Sequence, residues 1–352
     1  MEIIRKIGRY EVLVESSEPC GIYFEESALE PASGDAAVTL GKSQMLGILA
    51  SGDDYLPLTC RWELLDRCNF SCPFCYIVGH SFKKLIRFSE IRNHLTELID
   101  EGLLFCTLTG GEVTIHPDFK AIYQFLKENG VVVEIFTNGY AIDDGLIELF
   151  RSHPPIAVEV SLYSLENERL VKTYGVRDSQ GASKVLENVL RLKRAGINVT
   201  GKTFLNTVTR PDIEAIVLWC KNNEIEHYSS SEVTQGYDGA DLGSYAVKKD
   251  KLQTKEPKAA VCLPCKTKNY GSAINAAFSI YPCPSIMLSD CTYDMRQIGV
   301  MESLRRMKAF MRRFQDTEIV GNGCGTSGCA SCMAYAKPVR NEAGELLHFA
   351  QP

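Results

Sequence analysis

The chain has 352 residues, 45% of them hydrophobic, and a formal net charge of −6. That length suits one large domain plus a small one with a sizeable core, and the acidic balance argues against a nucleic-acid scaffold or a binder of anionic membranes. Met1-Glu2-Ile3-Ile4-Arg5-Lys6 is not followed by an apolar run, no stretch is long enough to span a bilayer, and 14 cysteines point to metal ligation in a reducing, cytoplasmic compartment rather than to a disulfide framework.

In chain order, residues 1–55 read as a small N-terminal cap. It has short strands at 10–14 and 21–24, a turn at Gly34-Asp35 and a short helix over 43–50. Cys20 and Cys60 read as buried thiols. A strand–helix alternation then fills residues 56–232. A strand over 59–65 leads into Cys68-Asn69-Phe70-Ser71-Cys72-Pro73-Phe74-Cys75-Tyr76, with cysteines spaced C-x3-C-x2-C. Ser89 is expected to cap a helix with Ile91, Leu95, Leu98 and Ile99 on one face, closed by Gly102. A second strand over 103–109 runs into Gly110-Gly111-Glu112. The two glycines would let the backbone approach a ligand closely, and Glu112 can accept from an ammonium group.

Helices around Ile122, Phe125 and Leu126 and around Leu146, Ile147 and Phe150 flank a third strand, 131–137, which ends at Thr137-Asn138-Gly139. A fourth strand, 156–162, ends at Ser161-Leu162-Tyr163-Ser164. Lys172 and Tyr174 are candidates to reach a ligand carboxylate. A helix over 182–195 stops at Gly196. A fifth strand covers 197–205, Pro211 opens a further helix, and 226–230 is a sixth strand. Such alternation implies parallel strands with right-handed crossovers. Residues 233–260 read as a linker or flap.

Three thiolates can hold three irons of a cubane cluster, leaving the fourth iron open to a small molecule. An aromatic at Phe74 suits a dry wall beside it. Residues alone also allow a structural zinc site or a disulfide pair, although zinc usually takes four ligands in two pairs. Cys68-x3-Cys72-x2-Phe74-Cys75 resembles the signature of the radical S-adenosylmethionine (SAM) enzymes. The resemblance implies a [4Fe-4S] cluster on Cys68, Cys72 and Cys75 that binds SAM and cleaves it to methionine and a 5′-deoxyadenosyl radical. It implies that Phe74, Tyr76, Gly110, Gly111, Glu112, Asn138 and Ser161 bind the cofactor. In that family the Gly-Gly-Glu turn holds the amino group of SAM, and the serine faces its ribose. It also selects, for this α/β chain, a partial (β/α)6 TIM-like barrel over a flat doubly wound sheet, with the site at the carboxyl ends of the strands.

Beyond residue 260 the cysteines crowd again, at Cys262, Cys265, Cys283, Cys291, Cys324, Cys329 and Cys332. Ile280-Tyr281-Pro282-Cys283-Pro284 resembles the hairpin of the SPASM and twitch auxiliary-cluster domains. The resemblance implies that residues 261–352 form such a domain. One auxiliary [4Fe-4S] cluster would sit on Cys265, Cys283, Cys329 and Cys332, with Cys262 and Cys324 as substitutes. Phe278 departs from the pattern, which often has glycine there. A structural zinc site is the alternative. Residues 301–314 read as a helix docked on this domain through Leu304, Met307, Met311 and Phe314.

The implied activity is an oxidoreductase of natural-product biosynthesis. A hydrogen atom leaves the substrate, and the carbon radical then loses an electron to the auxiliary cluster. The outcome is a crosslink, thioether or dehydrogenation of a peptide. The alternatives are a sugar-like small molecule as substrate, or a non-catalytic iron–sulfur or zinc-stabilised binding protein. A flavodoxin or ferredoxin is the implied electron donor. No residue stands out as a general base.

Overall fold

The computed structural model describes residues 2–7, 10–15, 17, 21–24, 56–77, 85–231, 242–247, 271–283, 289–313, 337–340, 343 and 346–350. The expected turn at Gly34-Asp35, the helix over 43–50, most of the 233–260 linker, and Cys20, Cys262, Cys265, Cys324, Cys329 and Cys332 lie outside those residues.

Six parallel strands follow the predicted alternation: β4 Thr59–Glu63, β5 Phe105–Thr109, β6 Val132–Thr137, β7 Ala157–Ser161, β8 Val199–Phe204 and β9 Glu226–Ser230. They pair in sequence order, each parallel to the next. The crossover helices are α1 Phe88–Asp100, α2 Phe119–Glu128, α3 Asp144–Ser152, α5 Gly181–Arg194 and α6 Ile213–Asn222. Their apolar faces bury the residues that the helical period selects, such as Ile91, Leu95, Leu98 and Ile99 on α1. A short helix, α4 Asn167–Tyr174, lies between β7 and α5 and ends on Gly175 in the left-handed conformation. It escapes the periodic reading because Leu170 and Tyr174 are its only buried residues. Among the described residues no helix is long and apolar enough to cross a membrane.

Ser89 is not the cap of α1. The cap falls two residues earlier, at Arg87, and the helix starts at Phe88. Asp118 accepts from the Phe88 N–H at 2.9 Å and from the Arg87 guanidinium at 2.7 Å, so the acceptor comes from a turn 30 residues away. A distant carboxylate does the work that a local serine usually does.

The N-terminal segment forms a three-stranded antiparallel sheet of β1 Glu2–Ile7, β2 Tyr10–Glu15 and β3 Gly21–Phe24. It lies at the barrel floor. Arg5, buried on β1, donates to the carbonyls of Leu103 at 2.5 Å, Gly130 at 3.3 Å and Ile99. Those carbonyls lie at the end of α1 and ahead of β5 and β6, where a cation meets the negative end of a helix. Burial holds the Arg5 guanidinium down at about 10, with nearby Asp100 opposing.

The cysteine-rich hairpin joins the barrel sheet. β10 Gly271–Ile274 pairs in parallel with β4, β11 Ser279–Tyr281 pairs antiparallel with β10, and β12 Tyr293–Asp294 follows. The helices α7 Met295–Ile298 and α8 Val300–Arg313 come next, with Leu304, Met307, Phe310 and Met311 of α8 buried. β13 Lys337–Arg340 and β14 Leu346–Ala350 form a two-stranded antiparallel sheet.

Phe278 explains its departure from the hairpin pattern. Its φ is 60°, the left-handed region that favours glycine. Its ring is buried, 5.6 Å from Trp62 of β4 and 5.7 Å from His94 of α1, centroid to centroid. Removing a buried phenylalanine costs about 3–5 kcal/mol, whereas the left-handed backbone costs about 1–2 kcal/mol. Packing therefore wins. Phe278→Gly should destabilise the protein by roughly 2–3 kcal/mol in denaturant unfolding, and Phe278→Ala should be the worse of the two because it keeps the strain.

Candidate active site

Past Glu63 the chain continues beside β5 before it turns into the cysteine loop. Leu64 N–H donates to Thr109 C=O at 2.9 Å, Gly111 N–H to Leu65 C=O at 2.7 Å, and Glu112 N–H to Arg67 C=O at 2.9 Å. This contact decides the glycines. A Cβ on Gly110, whose φ is +138°, would lie 2.4 Å from the Leu65 carbonyl oxygen, and one on Gly111 would lie 2.1 Å from that of Arg67. The clearance expected for a ligand is thus taken up by the backbone of the cysteine loop. On the loop's other side Ser71 N–H donates to Tyr174 C=O at 2.7 Å.

Phe74 anchors the loop in a buried aromatic nest. Its ring lies 5.2 Å from Tyr163, 6.2 Å from Tyr174, 5.6 Å from Phe204 and 6.4 Å from Tyr245, and Tyr163 stacks on Tyr174. Tyr174 is fully buried, while Lys172 sits exposed and paired with Glu168.

Burial pushes the Cys68 thiol up to about 12 and holds the Cys72 thiol well above its ordinary range, and the neighbouring cysteines add to both. Phe70 N–H donates to Cys68 Sγ at 3.3 Å, and Cys75 N–H to the Cys72 carbonyl at 3.1 Å. Such thiols ionise on binding a metal, which deprotonates a coordinating thiol outright. Among the described residues no three His, Cys, Asp or Glu side chains are gathered as one metal ion requires. A cluster spreads its thiolates over separate irons, so three soft donors on one short loop fit it better than they fit zinc.

Glu112 is 1% exposed. Its Oε1 accepts from Thr114 N–H at 3.1 Å, Thr114 Oγ1 at 2.6 Å and Thr137 Oγ1 at 2.5 Å, and its Oε2 accepts from Asn138 N–H at 2.6 Å. Burial is the largest influence and raises its pKa, against these donors. Asn138 donates to Asn69 Oδ1 at 2.7 Å and approaches Cys68 Sγ at 3.7 Å. Cys68, Glu112 and Asn138 therefore converge. Ser161, at the end of β7, hydrogen-bonds Tyr163. Tyr76 donates to Glu63 Oε1 at 3.0 Å.

The barrel lumen is polar, which the sequence reading missed. Arg61, Thr107 and Glu134 share one register level, and Ser161, Lys202 and Tyr228 share another. Lys202 Nζ pairs with Glu159 at 3.0 Å and sits 4.3 Å from the Phe136 ring centroid, with the Arg61 guanidinium carbon at 5.1 Å from the same ring. Thr107 donates to Glu134 at 2.8 Å. A signal was available. Parallel strands buried on both faces read as apolar runs, whereas Thr59-Cys60-Arg61-Trp62-Glu63 and Ala157-Val158-Glu159-Val160-Ser161 alternate.

Of the auxiliary-cluster cysteines only Cys283 is among the described residues. It sits half-buried just past β11, and Cys291 is buried in the turn before β12.

Residues 62–220 match the model of the Radical SAM superfamily. The sporulation killing factor maturation protein SkfB of Bacillus subtilis is 27% identical over 181 residues, covering 51% of this chain and 43% of that protein. A GTP 3′,8-cyclase of Actinobacillus pleuropneumoniae is 26% identical over 172 residues, covering 47% of this chain and 50% of that protein. The chain thus spans half or less of the length of these curated relatives. Streptococcus suis SuiB bound to S-adenosylmethionine superposes with a TM-score of 0.58 at 18% identity, covering 78% of this chain and 73% of that one. At that identity the likeness is one of fold. SuiB has also been solved bound to its precursor peptide SuiA.

Proposed function

The chain belongs to the radical SAM superfamily through residues 62–220, and on that premise we propose that it is an oxidoreductase that modifies a peptide. One observation carries this reading. The Cys68–Cys75 loop and the Gly110-Gly111-Glu112 turn are joined by main-chain hydrogen bonds at the mouth of an open parallel barrel. We assign Cys68, Cys72 and Cys75 as ligands of a [4Fe-4S] cluster, and Gly110, Gly111, Glu112, Asn138 and Ser161 as the surroundings of SAM. The chemistry such a pair supplies is one-electron cleavage of SAM and hydrogen-atom abstraction from substrate.

The protein's own part is geometry. The Phe74 nest excludes water beneath the loop. Glu112 fixes Thr137 and Asn138 beside it. The polar lumen faces the substrate. We assign residues 261–352 as a domain that holds one auxiliary [4Fe-4S] cluster on Cys265, Cys283, Cys329 and Cys332, as the electron acceptor of a net two-electron oxidation. A flavodoxin or ferredoxin supplies the first electron, in a reducing cytoplasm. SkfB, named for peptide maturation, and SuiB, solved with a precursor peptide, support a peptide substrate. The polar lumen and the cyclase relative favour a compact polar molecule as the second reading.

Anaerobic iron and sulfide analysis tests the assignment, with 5′-deoxyadenosine measured in the wild type and in a Cys68→Ala, Cys72→Ala, Cys75→Ala triple variant. About eight irons falling to about four, with loss of 5′-deoxyadenosine, is the expected result. About four irons in the wild type, with zinc present, would remove the electron acceptor. About twelve would mean two auxiliary clusters.

A further inference from the structure

We propose that Asn138 is a positioning residue that sets the reduction potential of the loop cluster through the hydrogen bond from its side-chain amide to the Cys68 sulfur. The proposal rests on the reading of Cys68, Cys72 and Cys75 as cluster ligands.

The amide is held at every point. Asn138 is 7% exposed. Its backbone N–H donates to Glu112 Oε2 at 2.6 Å. Its Oδ1 accepts from Tyr140 N–H at 3.0 Å, which fixes the orientation of the amide and leaves Nδ2 pointing at the cysteine loop. There Nδ2 donates to Asn69 Oδ1 at 2.7 Å and reaches Cys68 Sγ at 3.7 Å, an ordinary separation for a sulfur acceptor. Cys68 is the exposed member of the three, where Cys72 and Cys75 are half-buried. Phe70 N–H, at 3.3 Å, is a second donor to the same sulfur.

The consequence is a redox one. Reduction adds a negative charge that spreads onto the thiolate sulfurs. A donor aimed at a sulfur stabilises the reduced form more than the oxidised form and raises the potential. Removing the donor lowers it. A carboxylate in the same place lowers it further by repulsion.

Wild type, Asn138→Ala and Asn138→Asp are reconstituted anaerobically. Their iron is counted, and the SAM-responsive electron paramagnetic resonance signal is titrated against potential. The expected result is unchanged iron and a midpoint lowered in Asn138→Ala by about 59 mV, the one-electron equivalent of a tenfold fall in the reduced-to-oxidised ratio. Asn138→Asp, which still accepts from Tyr140 N–H, should fall further. Full iron with wild-type midpoints in both variants would overturn the proposal and leave the cluster reading intact. If only Asn138→Ala loses iron, the potential of the Asp variant decides. Loss of iron in both would make Asn138 merely structural and end the proposal. A wild type that takes up no iron on the loop would sink the cluster reading itself.

Discussion

Gly111→Ala should yield a folded protein that no longer assembles iron on the cysteine loop and makes no 5′-deoxyadenosine above background. The new Cβ would lie 2.1 Å from the Arg67 oxygen, 2.5 Å from its carbonyl carbon and 2.7 Å from the Asp66 oxygen. All three are backbone atoms, so no rotamer change relieves the clash. Either the 110–112 turn or the 65–67 segment must move, and residue 67 directly precedes Cys68. Overpacking costs about 1–3 kcal/mol, which a domain of this size survives. Three sulfurs that must meet one cluster tolerate much less displacement. The expected measurement is a loss of roughly four irons with a modest fall in melting temperature. Gly196→Ala is the control. Its φ is +78° but nothing lies within 4 Å, so it should lose only about 1 kcal/mol and keep its iron. A Gly111→Ala protein with full iron would show that the junction yields.

Glu112→Gln should be nearly as damaging, by another route. The carboxylate satisfies four donors. A glutamine amide can replace only one of the two oxygens as an acceptor. If its NH2 takes the Oε2 position, it faces Asn138 N–H donor to donor. An orphaned buried donor costs about 1–3 kcal/mol, and the strain falls on the residue that reaches Cys68. The pH dependence separates this from a generic packing loss. Burial raises the folded pKa of Glu112, so the fold favours its neutral form. The cost of ionising it is absent below the unfolded value, about 4.3, and grows as pH rises through the raised folded value. The wild type should therefore lose stability across that window relative to Glu112→Gln, which has no proton to give up. Denaturant unfolding at several pH values measures the difference. Parallel curves would mean that Glu112 is not ionised by folding-linked titration in that range.

Much of the fold was legible because its signals are local. The six barrel strands fall within two residues of the expected positions, since Val, Ile and Thr runs punctuated by Gly102, Gly130 and Gly196 need no distant partner to be read. The cysteine loop and Gly110-Gly111-Glu112 were legible for the same reason: their chemistry lies in spacing. The strand over residues 2–7 was missed, because its charged residues interrupt the run and its pairing with β2 is what makes it a strand. The lumen was missed although its alternation stood in the sequence. Apolar residues such as Trp62, Leu108, Ile135 and Val160 occupy the opposite face of the same strands and pack into the hydrophobic core.

By itself the sequence determined the order of the barrel strands, the faces of the crossover helices and the three thiols on one loop, because period and ligand spacing act over a few residues. Tertiary structure alone decided what those residues meet. It brought Asp118 to the start of α1 and aligned β10 beside β4. It turned two glycines into the junction between loop and turn, and made Phe278 preferable to glycine by enclosing its ring between Trp62 and His94. Each of these depends on a backbone or side chain far along the chain arriving within a few ångströms. Close packing sets that distance, and no local pattern carries it.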